Sequence, residues 1–227
     1  MLPSLLTPGV IEDFPDPRLA DEEGLVAVGG DLSRERLLRA YDQGVFPWFN
    51  EGTPELWWSP DPRAVLRPDD LHVSQSMQRV LRKNPFELSL NQAFTNVMVA
   101  CSQDREDGTW ILPEMVEAYS DLNDHGDAHS VEVWEGDRLI GGIYGVQRGA
   151  LFAGESMFHR RPNASKVALI VLVRSLAAVG VELLDVQMMT PHLASMGVVS
   201  IPRADYLGQI AELTGKSICF ESLVDPD

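Results

Sequence analysis

The sequence predicts an α+β protein in which a small, loop-rich N-terminal α/β domain, residues 1–62, precedes a larger domain, residues 63–227, with a mixed central sheet. Three observations predict it. The first sixty residues are crowded with turn chemistry, at Phe14-Pro15-Asp16-Pro17, Gly29-Gly30-Asp31, Phe46-Pro47-Trp48-Phe49 and Ser59-Pro60-Asp61-Pro62, which keeps regular elements short. Three strand-like segments between His129 and Phe158 are separated only by Glu135-Gly136-Asp137 and Gln147-Arg148-Gly149, both hairpin-type turns. A long apolar helix then separates the last of them from Leu183 to Met189, and a strand reached by such a crossover lies beside the one it left.

The N-terminal domain offers one helix, Ser33 to Gln43, with Leu37, Leu38 and Tyr41 along one side and Gly44 as its stop. Trp48, Phe49, Trp57 and Trp58 fall within eleven residues. Rings at that density either stack on a planar ligand or form the core of a small domain, and both readings stay open. Pro60-Asp61-Pro62 reads as a linker and Arg63 to Leu66 as the start of the second domain. A helix from Ser74 to Lys83 buries Met77, Val80 and Leu81 and turns Gln75, Arg79, Arg82 and Lys83 outward, either as a solvated face or as a phosphate contact.

Phe86 to Leu90 alternates as a strand, Asn91 caps a helix through Val99 and Cys101, and Pro113 opens a second helix to about Asn123. The hairpin-linked strands are His129 to Trp134, Leu139 to Val146 and Ala150 to Phe158. Asn163 caps the long helix to Val179, which Gly180 stops. A short helix near His192, a helix from Arg203 to Leu213 and a last strand, Ser217 to Phe220, complete the order.

A formal charge of −16 argues against a protein that coats nucleic acid, because phosphate neutralisation needs clustered Lys and Arg; a small local basic patch stays compatible with it. Two cysteines and five scattered histidines without an HxxxH pair predict neither a disulfide framework nor a metal site. No apolar run reaches the roughly 18 residues of a membrane span. The N-terminus lacks a basic leader, so the expectation is a cytoplasmic protein; nothing in the sequence fixes its oligomeric state, and a monomer is the default.

Two strands carry polar groups into apolar surroundings. Strict alternation along Leu151 to Phe158 puts Leu151, Ala153, Glu155 and Met157 on one face. An ionised carboxylate there without a partner costs several kcal/mol, so Glu155 needs an internal partner, an exposed edge or a cationic ligand. Asp185 and Gln187, two apart, share a face on the strand that follows the crossover. Together the three suggest a cleft for a cation or an amine. No activated nucleophile accompanies them: Gly154-Glu155-Ser156 is not a GxSxG elbow, and neither cysteine lies in an electropositive motif. Acyl transfer from an already activated donor fits, since proximity and orientation supply most of what it needs.

The element order resembles the GNAT acyltransferase fold. The start of the crossover helix reads His159-Arg-Arg-Pro-Asn-Ala-Ser-Lys166, without the glycine-rich coenzyme A signature, so the donor is expected to be something other than acetyl-CoA. The strings GLVAVGGDLS (Gly24 to Ser33), GVFPWF (Gly44 to Phe49), LWWSPDPRAVL (Leu56 to Leu66), GTWI, AHSVEVW, GGIYGV, FAGESMF, NASK and HLASMG (His192 to Gly197) go further. Over about residues 14 to 206 the chain resembles the leucyl/phenylalanyl-tRNA–protein transferase family. It departs from the family at Gln75, where a base would strengthen the phosphate-contacting helix, and in the tail after Tyr206.

The resemblance implies transfer of Leu or Phe, with Met a further donor, from aminoacyl-tRNA to the α-amino group of proteins with N-terminal Arg or Lys, marking them for N-end-rule degradation. It implies no cofactor. Trp48, Trp110 and Tyr41 are expected at the terminal adenosine, and Ile143, Met157, Leu169, Leu172 and Leu184 around the donor side chain. Glu155 and Asp185 are expected to favour the cationic acceptor, with Asp185 and Gln187 as the catalytic pair in which Gln187, oriented by Asp185, positions the attacking amine, and Arg79, Arg82 and Lys83 are expected at tRNA phosphates. The alternatives are a tRNA-dependent transferase with a different amine acceptor and a non-catalytic binder of cationic N-termini.

Overall fold

The computed structural model describes residues 3–83, 86–103 and 108–225. Two sheets organise them. The smaller has the order β1-β2-β4-β3, formed by β1 (Ser4–Leu6), β2 (Leu25–Gly29), β3 (Phe46–Pro47) and β4 (Leu56–Trp58), with helix α1 (Arg34–Asp42) between β2 and β3. Sequence patterning gave no sign of these strands, because runs of two to five residues between prolines and glycines are too short to show a period.

The larger sheet has seven strands in the order β11-β5-β10-β9-β8-β7-β6. They are β5 (Arg63–Leu66), β6 (Glu87–Leu90), β7 (Ala128–Glu135), β8 (Arg138–Arg148), β9 (Leu151–His159), β10 (Leu183–Gln187) and β11 (Val199–Ile201). Only β9 and β10 pair in parallel, as the crossover requires. The helices are α2 (Gln75–Lys83), α3 (Phe94–Ser102), α4 (Pro113–Asp124), α5 (Ala164–Val179), α6 (Pro191–Ala194) and α7 (Arg203–Leu213). The sheet is therefore mixed and the fold α+β.

One face of this sheet is covered by α5, whose Val167, Ile170 and Val171 pack with Val131, Ile143 and Phe152. The other face carries a core that runs without a break into the N-terminal residues: Leu37, Tyr41 and Trp57 pack in the same cluster as Phe94, Met115, Tyr119 and Tyr144. The sheets divide the chain near residue 62, but the hydrophobic core joins both parts. Arg148 adds a bidentate ion pair to Asp42 across the same junction.

The expected strand from Ser217 to Phe220 is extended chain without a ladder. It lies against Gln147 and His129, on strands β8 and β7, whose backbone groups already pair on both sides. Side chains anchor it instead, through the Gln147 amide donating to the Ile218 carbonyl and burial of Phe220.

Candidate active site

The site lies where the parallel pair of the larger sheet comes apart. Ladder pairing of β9 with β10 ends at Ala153 and Asp185, and beyond it each strand carries an irregularity. On β9, Gly145 of β8 faces Gly154 and Tyr144 faces Ser156, which leaves Glu155 as the extra residue of a bulge. Glycine at 145 is required here: a Cβ would stand 2.1 Å from the Ala153 carbonyl oxygen. On β10, Asp185 faces Val65 and Gln187 faces Ala64, so Val186 is extra and Gln187 turns to φ +57°. Two bulges at one level splay the strands and turn their polar residues into the gap.

The bulge corrects the alternation expected for β9. Met157 packs with Phe152 on the α5 side, whereas Ala153 packs with Tyr144 on the other, so Glu155 and Met157 do not simply share a face with Ala153.

A left-handed conformation costs a residue with a Cβ roughly 1–2 kcal/mol, so Gln187 must be held. Its backbone N–H donates to Asp185 Oδ1 at 2.9 Å. Asp185 is in turn locked: Arg63 donates from Nε to Oδ1 (2.8 Å) and from Nη2 to Oδ2 (2.6 Å), and Tyr206 donates its hydroxyl to Oδ2 at 2.7 Å. Asp185 and Arg63 are 0% and 1% exposed, which removes Asp185 from the cleft. Burial alone would lower the Arg63 pKa, but the adjacent Asp185 carboxylate more than reverses this and raises it, so the guanidinium stays charged. The Arg63 guanidinium also lies 4.6 Å from the Tyr206 ring centroid and 4.8 Å from that of Phe46. Asp185 holds the Gln187 backbone, in keeping with the orienting part expected of it, but at 0% exposure it does not reach the cleft to meet an acceptor.

Glu155 faces the opening and is half-buried. Its Oε1 accepts from the Gln187 amide Nε2 at 3.0 Å and from the Tyr41 hydroxyl at 2.9 Å, and Tyr41 shares a 2.5 Å hydrogen bond with the buried Tyr119 of α4. Withdrawal from water raises the Glu155 pKa to about 8, with the Asp185 charge adding to it and Tyr41, Arg63 and Gln187 opposing. Both tyrosine hydroxyls are pushed well above their ordinary values, first by burial and then by the Glu155 charge, so they stay protonated as donors. Tyr41, expected at the adenosine, has its ring in the core at 2% exposure and offers no open face; its hydroxyl orients Glu155.

Two chambers meet at Glu155 and Gln187. The inner, about 120 Å³, is walled by Ile143, Met157, Leu169 and Leu184 together with Val186 and Leu193. Leu172 does not line it: one helical turn beyond Leu169, it is 1% exposed within the core. The outer, about 350 Å³, is bounded by Phe46, Pro47, Trp48, Trp110, Met188 and Thr190. The four clustered aromatics therefore divide. Trp57 and Phe49 are core, whereas Trp48, 39% exposed, faces the cleft and is steadied by Trp58, whose Nε1 donates to the Trp48 carbonyl at 2.7 Å. Val186 and Leu193 went unnoticed in the sequence because the bulge and α6, not any period, bring them to the cleft. Arg79, Arg82 and Lys83 are exposed on α2, and none pairs with a described carboxylate.

Fold and cleft together define an α+β protein with a mixed seven-stranded sheet, opened between its parallel strands into a divided polar and apolar site. Its family is narrower. A family model described as leucyl/phenylalanyl-tRNA protein transferase matches residues 65–211, and one for that family's N-terminal domain matches residues 30–61. The chain belongs to the leucyl/phenylalanyl-tRNA protein transferase family.

The leucyl/phenylalanyl-tRNA–protein transferase of Shewanella baltica (strain OS155 / ATCC BAA-1091) is 52% identical over 211 residues, covering 91% of this chain and 89% of that protein. The protein of the same name from Pectobacterium carotovorum subsp. carotovorum (strain PC1) is 54% identical over 201 residues, covering 88% and 86%. Among solved structures, a GCN5-related N-acetyltransferase from Kribbella flavida aligns with a TM-score of 0.37 and 9% identity over 70% of this chain and 58% of that one. L-PGS from Bacillus licheniformis aligns at 0.38 and 12% identity over 84% and 61%, so the match spans less than two thirds of either solved chain.

Proposed function

We propose that the protein transfers leucyl or phenylalanyl groups, and methionyl groups through the same pocket, from aminoacyl-tRNA to the α-amino group of proteins that begin with Arg or Lys. It acts as a cytoplasmic monomer and marks its products for N-end-rule degradation. The observation that carries this is the divided cleft in a chain of this family: an aromatic chamber and an apolar chamber that meet at Glu155 and Gln187. The terminal adenine stacks on Trp48 and Trp110, a contribution of roughly 1–3 kcal/mol per base. The donor side chain enters the inner chamber, where unbranched Met157 adapts to Leu, Met or Phe. The ester then lies at the junction.

There the acceptor's α-nitrogen attacks the ester carbonyl. The new C–N bond forms as the C–O bond to the ribose breaks, and the ribose oxygen leaves with the proton that the amine gives up. Gln187 is a neutral amide and cannot take that proton. It positions, while Glu155 has the proton affinity. A carboxyl with a pKa of about 8 is matched to an α-amine near 7.7–8.0, so the two can exchange a proton near neutral pH. With Asp185 committed to Arg63, Glu155 is also the acidic group left to face the acceptor, and a cationic N-terminal residue beside it would favour its ionised form.

Incubation with Leu-tRNA and a peptide beginning with Arg tests this. The peptide should gain one Leu, and ribonuclease pretreatment should abolish the gain. Peptide binding without a change of mass would identify a non-catalytic binder, and transfer only to non-peptide amines a different transferase.

A further inference from the structure

The His159 to Lys166 stretch lacks a coenzyme A cradle, yet it borders a separate cavity outside the cleft, walled by apolar side chains such as Met77 and Ile170 as well as polar ones. This small cavity, about 50 Å³, lies between the start of α2, the first turn of α5, and α6, and His72, Ser74, Lys166, His192 and Ser195 supply its polar lining. No carboxylate lines it, although acidic side chains outnumber Lys and Arg by 34 to 18 in the chain. Lys166 is half-buried, and no described carboxylate pairs with it. His192 feels the cations around it: burial, then Lys166 and His159, lower its pKa. The first turns of two helices of nine and sixteen residues add the positive ends of their dipoles. Basic side chains gathered away from carboxylates, beside two helix N-termini, suit an anion.

Its place suggests which anion. Helix α6 divides the cavity from the cleft: Leu193 lines both chambers, while its neighbour His192 lines the cavity. On α5, Leu169 lines the inner chamber and Lys166, one turn earlier, the cavity. A terminal nucleoside is joined to the rest of a tRNA through a phosphodiester at its 5′ oxygen, so a phosphate must leave the cleft beside the ribose. The exposed bases Arg79, Arg82 and Lys83 continue along α2 from the same cavity.

We propose that this cavity is a phosphate subsite, with Lys166 and His192 as its ligands, that holds a backbone phosphodiester of the tRNA acceptor strand. The choice of tRNA over free phosphate rests on the function proposed above.

Binding of uncharged tRNA, followed by fluorescence anisotropy across a salt series, tests the subsite without requiring transfer. Lys166→Met should weaken binding about 5- to 10-fold at low salt and reduce the slope of log K against log salt by about one. Lys166→Arg, which keeps the charge, should stay near wild type and so controls for folding. Lys216→Met, an equal charge change at a surface ion pair with Glu182, should also stay near wild type. Unchanged tRNA binding in Lys166→Met, or equal weakening in Lys216→Met, overturns the proposal. Inorganic phosphate, titrated while His192 is followed by NMR, separates the sources: Lys166-dependent phosphate binding with tRNA binding unaffected would assign the cavity to the free anion and overturn it. Lys166-dependent tRNA binding by a protein that transfers no leucine would retire the transferase and leave the subsite standing.

Discussion

Substitution of Asp185 by Asn separates support from chemistry in this cleft. Asp185 and Arg63 are almost fully buried and joined by two hydrogen bonds of 2.8 and 2.6 Å. Removing one charge of such a pair leaves the other without compensation, at a cost of about 3–5 kcal/mol. At roughly 2–4 °C per kcal/mol for a chain of this size, the melting temperature should fall by about 6–20 °C. The lower end is expected, because the Asn oxygen still accepts one hydrogen bond. Gln187 loses a well-oriented anchor for its left-handed backbone, so single-turnover transfer at a temperature where the variant is folded should also fall. Gln187→Ala is the comparison: it removes the 3.0 Å contact with Glu155 and should slow transfer tenfold or more, with a melting temperature within about 4 °C of wild type, since one hydrogen bond contributes about 1 kcal/mol. Circular dichroism gives the melts and quenched-flow transfer gives the rates. An Asp185→Asn protein that melts within about 2 °C of wild type yet transfers a hundredfold more slowly would place Asp185 at the reacting atoms and refute its role as a support.

Trp48→Ala should raise the KM for Leu-tRNA by roughly 5- to 150-fold, the equivalent of a lost 1–3 kcal/mol stack, with little change in melting temperature. Trp57→Ala, at a fully buried ring whose Nε1 donates to the Gly29 carbonyl, should instead lose about 3–5 kcal/mol of stability, measured by urea unfolding. Glu155 has its pKa raised from 4.5 to about 8, so between those values the folded protein binds the extra proton. Its contribution to stability is complete below pH 4.5 and is lost as pH rises through 8; in Glu155→Gln that decline in the urea midpoint should disappear. Tyr119→Phe removes the donor or acceptor 2.5 Å from Tyr41 and should cost about 1 kcal/mol while lowering kcat several-fold and leaving the KM for tRNA unchanged. A change confined to KM would show that the tyrosine pair does not orient Glu155.

The larger sheet was legible because its elements are long enough to carry a period. The hairpin turns at Gly136 and Gly149 and the stop at Gly180 each gave a local chemical signal, and the crossover helix fixed the parallel pair of β9 and β10. Strand β11, three residues long, escaped because a segment of that length is defined by its partner, here β5, and not by its own sequence. The N-terminal sheet escaped for the same reason. Its prolines truly signal turns, but two-residue strands such as Phe46–Pro47 fit between them.

The site was legible in its residue types and illegible in its geometry. Glu155, Asp185 and Gln187 stand out as polar groups on apolar strands, and each has the internal hydrogen-bond partner that its burial requires. Alternation could not tell which charge pairs with which. The partner of Asp185 is Arg63, 122 residues away, which looks from its sequence like the opening of a strand. Tyr41 looks like a helix residue with a free ring, yet its hydroxyl lies 2.9 Å from Glu155, 114 residues on. The two bulges decide the matter. Each adds one residue to a ladder and shifts every side chain beyond it to the other face; on β9 the only sequence trace is a glycine beside a polar residue, Gly154-Glu155, and on β10 there is none. Gly145, which a methyl group would drive into the Ala153 carbonyl, is where that trace becomes a constraint: the strand must yield there for Glu155 to face the cleft.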